Sequence, residues 1–381
     1  MMKKIFLLFT ILCNAYWLSA QQDSSHIRIS LLTCGVGDEV WETFGHTGVR
    51  VVDSNKGIDV VYNYGTFDGF DKDFEIKFMR GKLLYYVSMD TYDAFMNEYI
   101  HYKRGVEEQI LLLTGAQKMQ VYQYLMENAL PENRNYKYDF FFDNCATRIR
   151  DIFPKVLGKD FRFGNTLPPH TALTFRDIIN QYFYKRHWER VGVNILLGSK
   201  IDRRMTNEDI MFLPDYLRDG VGGGTVKGVK IATPSQVVLP ARPIEKAGVN
   251  EPFWVMTVIM VLTLIGLFFK RLRILGNLMS GLLLFVSGLL GCIIVVMWLG
   301  TDHQACQNNF NVLWALPTNI IAIFVKKKSR YALLGMSTIF LALLLHLLHI
   351  QEMPLLEIGP FLFSLLCVFA VMYKRTPKMT A

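Results

Sequence analysis

Tyr138-Asp139-Phe140-Phe141-Phe142-Asp143-Asn144-Cys145-Ala146-Thr147-Arg148 places one cysteine at the start of a predicted helix. Asn144 is a good N-cap residue, which makes Cys145 the first helical position. The helix dipole and unpaired N–H groups there favour a thiolate and can hold an oxyanion. Arg148 and Arg150 add positive potential. Upstream lies His46, in Phe44-Gly45-His46-Thr47-Gly48-Val49-Arg50, where glycines on either side leave room beside the ring. An isolated cysteine is ordinarily buried and inert, and an isolated histidine is ordinarily structural. Together, a thiol at a helix N-terminus and an imidazole on a strand are the minimum kit for cysteine-dependent acyl transfer.

Such an imidazole needs a third polar group to orient it. On the next predicted strand Asp59, Val61 and Asn63 share a face by the period of two, and Asn63 is the choice. Asp38, Glu39 and Glu42 compete for the role. His26, in a polar stretch, is a poorer base. Phe140 to Phe142 read first as packed core and second as the lining of an acyl pocket. No CxxC, HExxH or Asp-rich loop occurs, so no metal and no cofactor is expected.

Around these residues the chain reads as α+β. Strands are expected over 27–33, 45–52, 58–64 and 83–89, with turn residues at 53–57 joining the second and third into a hairpin. Helices are expected over 91–103, 115–130, 144–157 and 171–186, with Gly158 as a C-cap.

Composition divides the 381 residues. Residues 1–20 read as a secretory signal: Lys3 and Lys4, an apolar run, then a small-residue end. Residues 21–218 read as a globular domain, 219–252 as a Gly/Pro-punctuated linker, and 253–381 as a membrane domain. The formal charge of +8 comes from 41 Lys and Arg against 33 Asp and Glu. Ten of the basic residues but only Asp302, Glu352 and Glu357 among the acidic ones lie in the tail. The globular part is near neutral, which argues against nucleic-acid binding.

Five apolar runs in the tail, near 253–269, 274–299, 312–325, 331–350 and 355–373, approach the length of membrane helices. All ten basic residues of the tail follow the first, third and fifth runs; the connections 300–311 and 351–354 hold none. The positive-inside rule then puts the C-terminus in the cytoplasm and residues 21–252 outside, in agreement with the signal. His346 and His349 sit near the outer end of a run, as functional or interfacial groups. The loop from Thr301 to Asn311 is polar enough to contact a headgroup or to be a solvated turn. Cys34, Cys145 and Cys306 fall on the oxidising side; if Cys34 and Cys306 pair, Cys145 is the free thiol.

The residues also carry a family resemblance. Thr33-Cys34-Gly35 with Gly37-Asp38-Glu39, then Phe44-Gly45-His46-Thr47, Tyr62 to Phe67, Arg80-Gly81-Lys82, Pro131 to Arg134 and Phe141 to Cys145 resemble the periplasmic domain of the Lnb family. The likeness continues through Leu196-Leu197-Gly198, Asp302-His303 and Asn311 to Pro317. That family is associated with lipoprotein N-acylation in Bacteroidota. The order of His before Asn-Cys is also similar to permuted papain-like thiol acyltransferases related to lecithin–retinol acyltransferase.

The resemblance implies a permuted papain-like periplasmic domain followed by an all-α five-helix transmembrane domain in the bacterial inner membrane. It implies an enzyme that moves an acyl chain from a phospholipid, through a Cys145 thioester, to the N-terminal amine of an apolipoprotein. Cys145, His46 and Asn63 are then catalytic, with Asn144 and Arg148 supporting the oxyanion. Glu39, Arg80, Asp302 and His303 are candidate substrate or headgroup contacts. A membrane-tethered cysteine peptidase or cell-wall amidase is the alternative enzyme, and an envelope scaffold without catalysis the alternative of another class.

Overall fold

The computed structural model describes residues 26–168, 171–243, 245–322, 324 and 328–375. The expected signal over 1–20, and Lys326, Lys327 and Lys378 of the positive-inside pattern, lie outside them. The chain divides into two compact units. The first comprises Met1–Phe74, Leu83–Thr171 and Thr206–Pro243, the second Glu75–Lys82, Ala172–Met205 and Ile244–Ala381.

The described residues hold ten strands: β1 (Ile27–Cys34), β2 (His46–Asp53), β3 (Ile58–Phe67), β4 (Leu84–Thr91), β5 (Val106–Ile110), β6 (Asn135–Lys137), β7 (Phe161–Arg162), β8 (Thr225–Val226), β9 (Val229–Lys230) and β10 (Gln236–Leu239). All lie in the first unit. Seven form one antiparallel sheet in the order β10-β5-β1-β2-β3-β4-β6. In β1 every side chain but that of Arg28 is buried, as suits a central strand covered on both faces. The β2–β3 hairpin closes because Asp53 Oδ1 accepts the N–H groups of Asn55 (3.1 Å) and Lys56 (3.2 Å) while Gly57 takes a positive φ. The helix Tyr92–His101 sets Phe95, Met96 and Tyr99 against Leu32, Cys34 and Val61.

Two expectations need correction in this unit. The single helix over 144–157 is two, Cys145–Arg150 and Ile152–Leu157. Pro154 has no N–H for the Arg150 carbonyl, so the ladder breaks and restarts with proline in a first turn. The stretch 219–252 is largely not a linker. It finishes the helix Pro214–Gly222, supplies β8 and β9, and adds β10 to the sheet edge beside β5. Its glycines serve close packing: a Cβ on Gly164 would stand 2.6 Å from Gly223 Cα.

The second unit holds four helices long and apolar enough to cross a membrane among the described residues, Glu251–Phe268, Lys270–Leu299, Ser329–Leu347 and Leu355–Lys374. Among the described residues the third apolar run shows no fifth such helix; it holds a 3₁₀ turn at Phe310–Leu313 and a short helix at Asn319–Ala322, with Pro317 between. Asn311, Trp314, Ala315, Asn319 and Ala322 of this broken segment are buried, whereas Thr318 and Ile321 are exposed. Trp314 Nε1 donates to Asn311 Oδ1 at 2.9 Å, Asn319 Nδ2 to Ser287 Oγ at 2.9 Å, and the Tyr331 hydroxyl to Asn319 Oδ1 at 2.6 Å. It fits because Gly288 and Gly291, one turn apart, leave the neighbouring helix without side chains there.

Residues 172–205, expected with the globular domain, group with this unit instead. Buried Arg176 donates to both carboxylate oxygens of Asp202, at 2.7 and 3.0 Å. Asn309 and Asn311 donate to main-chain carbonyls at the end of the helix His187–Leu196, and Val191 and Ile195 share an apolar cluster with Trp314. His346 and His349 close a helix end, through the Met353 N–H and the Glu352 carboxylate.

A Cβ on Gly291 would lie 1.8 Å from the Ala315 carbonyl oxygen, whereas one on Gly359 would meet nothing within 4 Å. Gly291→Val should therefore cost about 1–3 kcal/mol or more and lower the thermal midpoint in detergent, while Gly359→Ala leaves it unchanged. Scanning fluorimetry of the two purified variants checks this.

Candidate active site

The stretch 138–148 builds its own platform. Asp139 Oδ1 accepts the N–H groups of Phe141 (3.0 Å) and Phe142 (3.2 Å), which turns the aromatic run back on itself. Asn144 then starts the helix as a reciprocal cap: its Oδ1 accepts the Thr147 N–H at 2.9 Å, and its own N–H donates to Thr147 Oγ1 at 2.8 Å. Its Nδ2 donates to the carbonyls of Phe140 and Phe212, both at 2.8 Å. Cys145 follows directly and is 9% exposed. The Phe140 to Phe142 run packs as core: Phe140 lies against Phe44 (4.6 Å between centroids), and Phe141 against Phe212 (5.4 Å).

His46 and Asn63 come from β2 and β3. His46 Nε2 and Asn63 Oδ1 are 2.6 Å apart. Asn63 Nδ2 points to Asp90 Oδ2 at 3.4 Å, and Asp90 also accepts from Ser88 Oγ at 3.0 Å. With Nδ2 directed at a carboxylate, Oδ1 is the acceptor, so His46 carries its proton on Nε2 and leaves Nδ1 as the basic nitrogen.

Histidine, cysteine and a tyrosine converge on Gly65, where β3 bulges and φ is +96°. A Cβ there would stand 3.8 Å from His46 Cε1, 3.9 Å from Cys145 Cβ and 4.0 Å from the Tyr136 hydroxyl. Glycine adopts that backbone without strain and puts no side chain among the three groups.

Burial governs the charge state. It pushes the Cys145 thiol up to about 11, although the N–H groups of Thr47, Ala146 and Cys145 itself pull the other way. Burial also pushes His46 down to about 4, against the Asn63 hydrogen bond, with Arg104 adding to the fall. Both shifts favour a neutral thiol beside a neutral imidazole, against the thiolate that the helix dipole favours. A six-residue helix supplies little dipole, and desolvation outweighs it.

The remaining expected site residues are placed as follows. Asn144 has its side-chain amide committed to the cap and two carbonyls, so it has no donor left for an oxyanion. Arg148 is clamped by Asp143 at 2.6 and 2.8 Å and lies over the Tyr136 ring, 3.8 Å from its centroid. The competitors of Asn63 are engaged elsewhere: Asp59 with Arg50, Glu42 with Arg104, Asp38 with Arg242. Glu39 is an exposed turn residue of the first unit. Within the second unit Arg80, Asp302 and His303 do come together: the Asp302 N–H donates to the Arg80 carbonyl at 2.9 Å, and His303 Nε2 lies 3.0 Å from the Phe78 carbonyl. Cys34 and Cys306 form no disulfide. Cys34 is instead a core thiol bonded to Tyr99, pushed up to about 12 by burial.

Comparison with known proteins decides the family. Residues 14–182 match the Lnb N-terminal periplasmic domain, and residues 244–379 match the Lnb transmembrane domain. The chain belongs to the Lnb family. No curated protein and no solved structure matches it. A periplasmic domain followed by a transmembrane domain is the layout of an inner-membrane protein. His46, Asn63, Tyr136 and Cys145 all fall in the periplasmic match of this Lnb chain, and Asp302 and His303 in the transmembrane match.

The charge state has a kinetic signature. A thiol with its pKa near 11 is protonated at neutral pH, so alkylation of Cys145 by iodoacetamide should rise steadily from pH 7 towards pH 11. A thiolate–imidazolium pair would instead give a plateau across pH 5–8, and that plateau in the rate profile would contradict the assignment.

Proposed function

We propose that this protein is a lipoprotein N-acyltransferase that works by ping-pong transfer through Cys145, on a permuted papain-like domain. The observation that carries the reading is the approach of Cys145 and the Asn63-oriented His46 to one point at Gly65, in a chain that also carries helices long and apolar enough to cross a membrane.

In the first half-reaction His46 Nδ1 takes the thiol proton as sulfur attacks the acyl ester carbon of a phospholipid. The C–S bond forms and the carbonyl π pair moves onto oxygen, facing the N–H groups of Ala146 and Thr47 that point at the sulfur. On collapse the C–O bond breaks, and the departing glycerol oxygen takes the proton from His46. A lysophospholipid leaves, and Cys145 holds a thioester. In the second half-reaction the α-amine of an apolipoprotein's lipidated N-terminal cysteine attacks the thioester carbon. His46 takes a proton from nitrogen, the C–S bond breaks, and sulfur recovers that proton. An amide remains.

The membrane topology fits donor and acceptor that are both anchored in lipid. The charge alternation asks for a crossing between 300–311 and the basic run ending at Arg330. The partly buried segment 310–322 is the chain available for it, since irregular backbone is tolerated at membrane depth where protein packs against it. Five crossings leave the site outside and the C-terminus in the cytoplasm.

Cells lacking this protein should make lipoproteins without the amide-linked chain, read by mass spectrometry of their N-terminal peptides. A wild-type copy restores the chain and a Cys145→Ser copy does not. Unchanged N-acylation in the deleted cells would sink the reading, and release of peptidoglycan fragments by the purified protein would favour an amidase.

A further inference from the structure

Tyr136 projects from β6 beneath the candidate site. It is 5% exposed, and its hydroxyl is buried with no hydrogen-bond partner among the described residues. Such a group costs about 1–3 kcal/mol unless something satisfies it. The hydroxyl stands 4.0 Å from the point where a Gly65 Cβ would be, the same point that His46 Cε1 and Cys145 Cβ approach at 3.8 and 3.9 Å. The hydroxyl, the imidazole and the thiol-bearing carbon thus stand around one point.

The ring cannot easily turn the hydroxyl elsewhere. β6 pairs Tyr136 with Tyr85 of β4, and the ring sits 6.5 Å from those of Tyr85 and Tyr64. The Arg148 guanidinium covers it at 3.8 Å and is itself held by Asp143 on two bonds. Burial holds the phenol well above its ordinary range, so it remains a donor. The side chain expected to donate here, Asn144, is fully occupied.

We propose that the Tyr136 hydroxyl is the side-chain donor of the oxyanion hole, bonding the acyl oxygen as it gains negative charge during attack by Cys145. The proposal rests on the acyl-transfer reading. It gives the otherwise costly hydroxyl its partner only when that charge develops, which is the condition for selective transition-state stabilisation. Arg148 contributes indirectly, by fixing the ring.

The test compares two reactions of the same thiol in full-length protein in detergent, with Cys145→Ser as the blank. Acylation is read as p-nitrophenolate release from p-nitrophenyl octanoate; alkylation is read with iodoacetamide, whose displacement at a saturated carbon forms no oxyanion. Tyr136→Phe keeps the ring and the Arg148 contact. It should slow acylation by roughly 100–1,000-fold and leave alkylation unchanged. Unchanged acylation would overturn the proposal. So would a parallel fall in both rates, which would mean that the hydroxyl merely supports the fold. Wild-type release no faster than the blank would overturn the acyl-transfer reading with it. A Tyr136 effect on the ester in a protein that fails to N-acylate lipoproteins would remove only the lipoprotein acceptor.

Discussion

Asn144 commits its whole side-chain amide to the backbone. Oδ1 takes the Thr147 N–H, and Nδ2 takes the carbonyls of Phe140 and Phe212. Those three bonds join the end of the aromatic turn, the start of the helix that carries Cys145 and a segment more than sixty positions later in the chain. The bonds to Thr147 and Phe212 are buried, so either would leave an unsatisfied polar group if broken. Cys145 has no freedom of its own: its position is that of the cap. The Asn63–His46 bond then has a fixed target, and the bulge at Gly65 opens the space between thiol and ring. Replacing Asn144 would move the sulfur before it changed any chemistry.

Two opposed effects set the resting state of that sulfur. Three backbone N–H groups favour the anion; burial disfavours it more strongly. The imidazole is likewise held neutral. In the proposed reaction such a pair keeps its proton on sulfur until an acyl carbonyl arrives, and charge then appears on oxygen. Such a site is protected from adventitious reaction. It also suits lipid chemistry, where the substrate itself excludes water and low dielectric strengthens each fixed donor.

The sequence makes the sheet order partly legible and the site largely so. Alternation and turn residues mark β1 to β4, and the cap marks Cys145. The period of two puts Asn63 on a candidate face, and the structure brings it to 2.6 Å from His46. What escapes the sequence has physical reasons. The edge strand β10 is four residues long and lies between prolines, so composition reads as linker. The 312–325 run is apolar enough for a span, but hydropathy does not weigh Pro317 or the buried amides of Asn311 and Asn319; those were the available warning. Tyr136 carried no signal, because a tyrosine in a short strand reads as packing. Only coordinates show that its hydroxyl lacks a partner. The charge of Arg148 was visible, but its cancellation by Asp143 depended on geometry.

The central claim is that an acyl chain rests on Cys145 between donor and acceptor. Full-length protein incubated with phosphatidylethanolamine vesicles and no acceptor, quenched in acid and digested, tests it most directly by peptide mass. The account predicts a Cys145 peptide heavier by one fatty acyl group, cleaved by neutral hydroxylamine and absent from Cys145→Ser. An acyl group on another residue, or lysophospholipid formation by the Cys145→Ser protein, would contradict it.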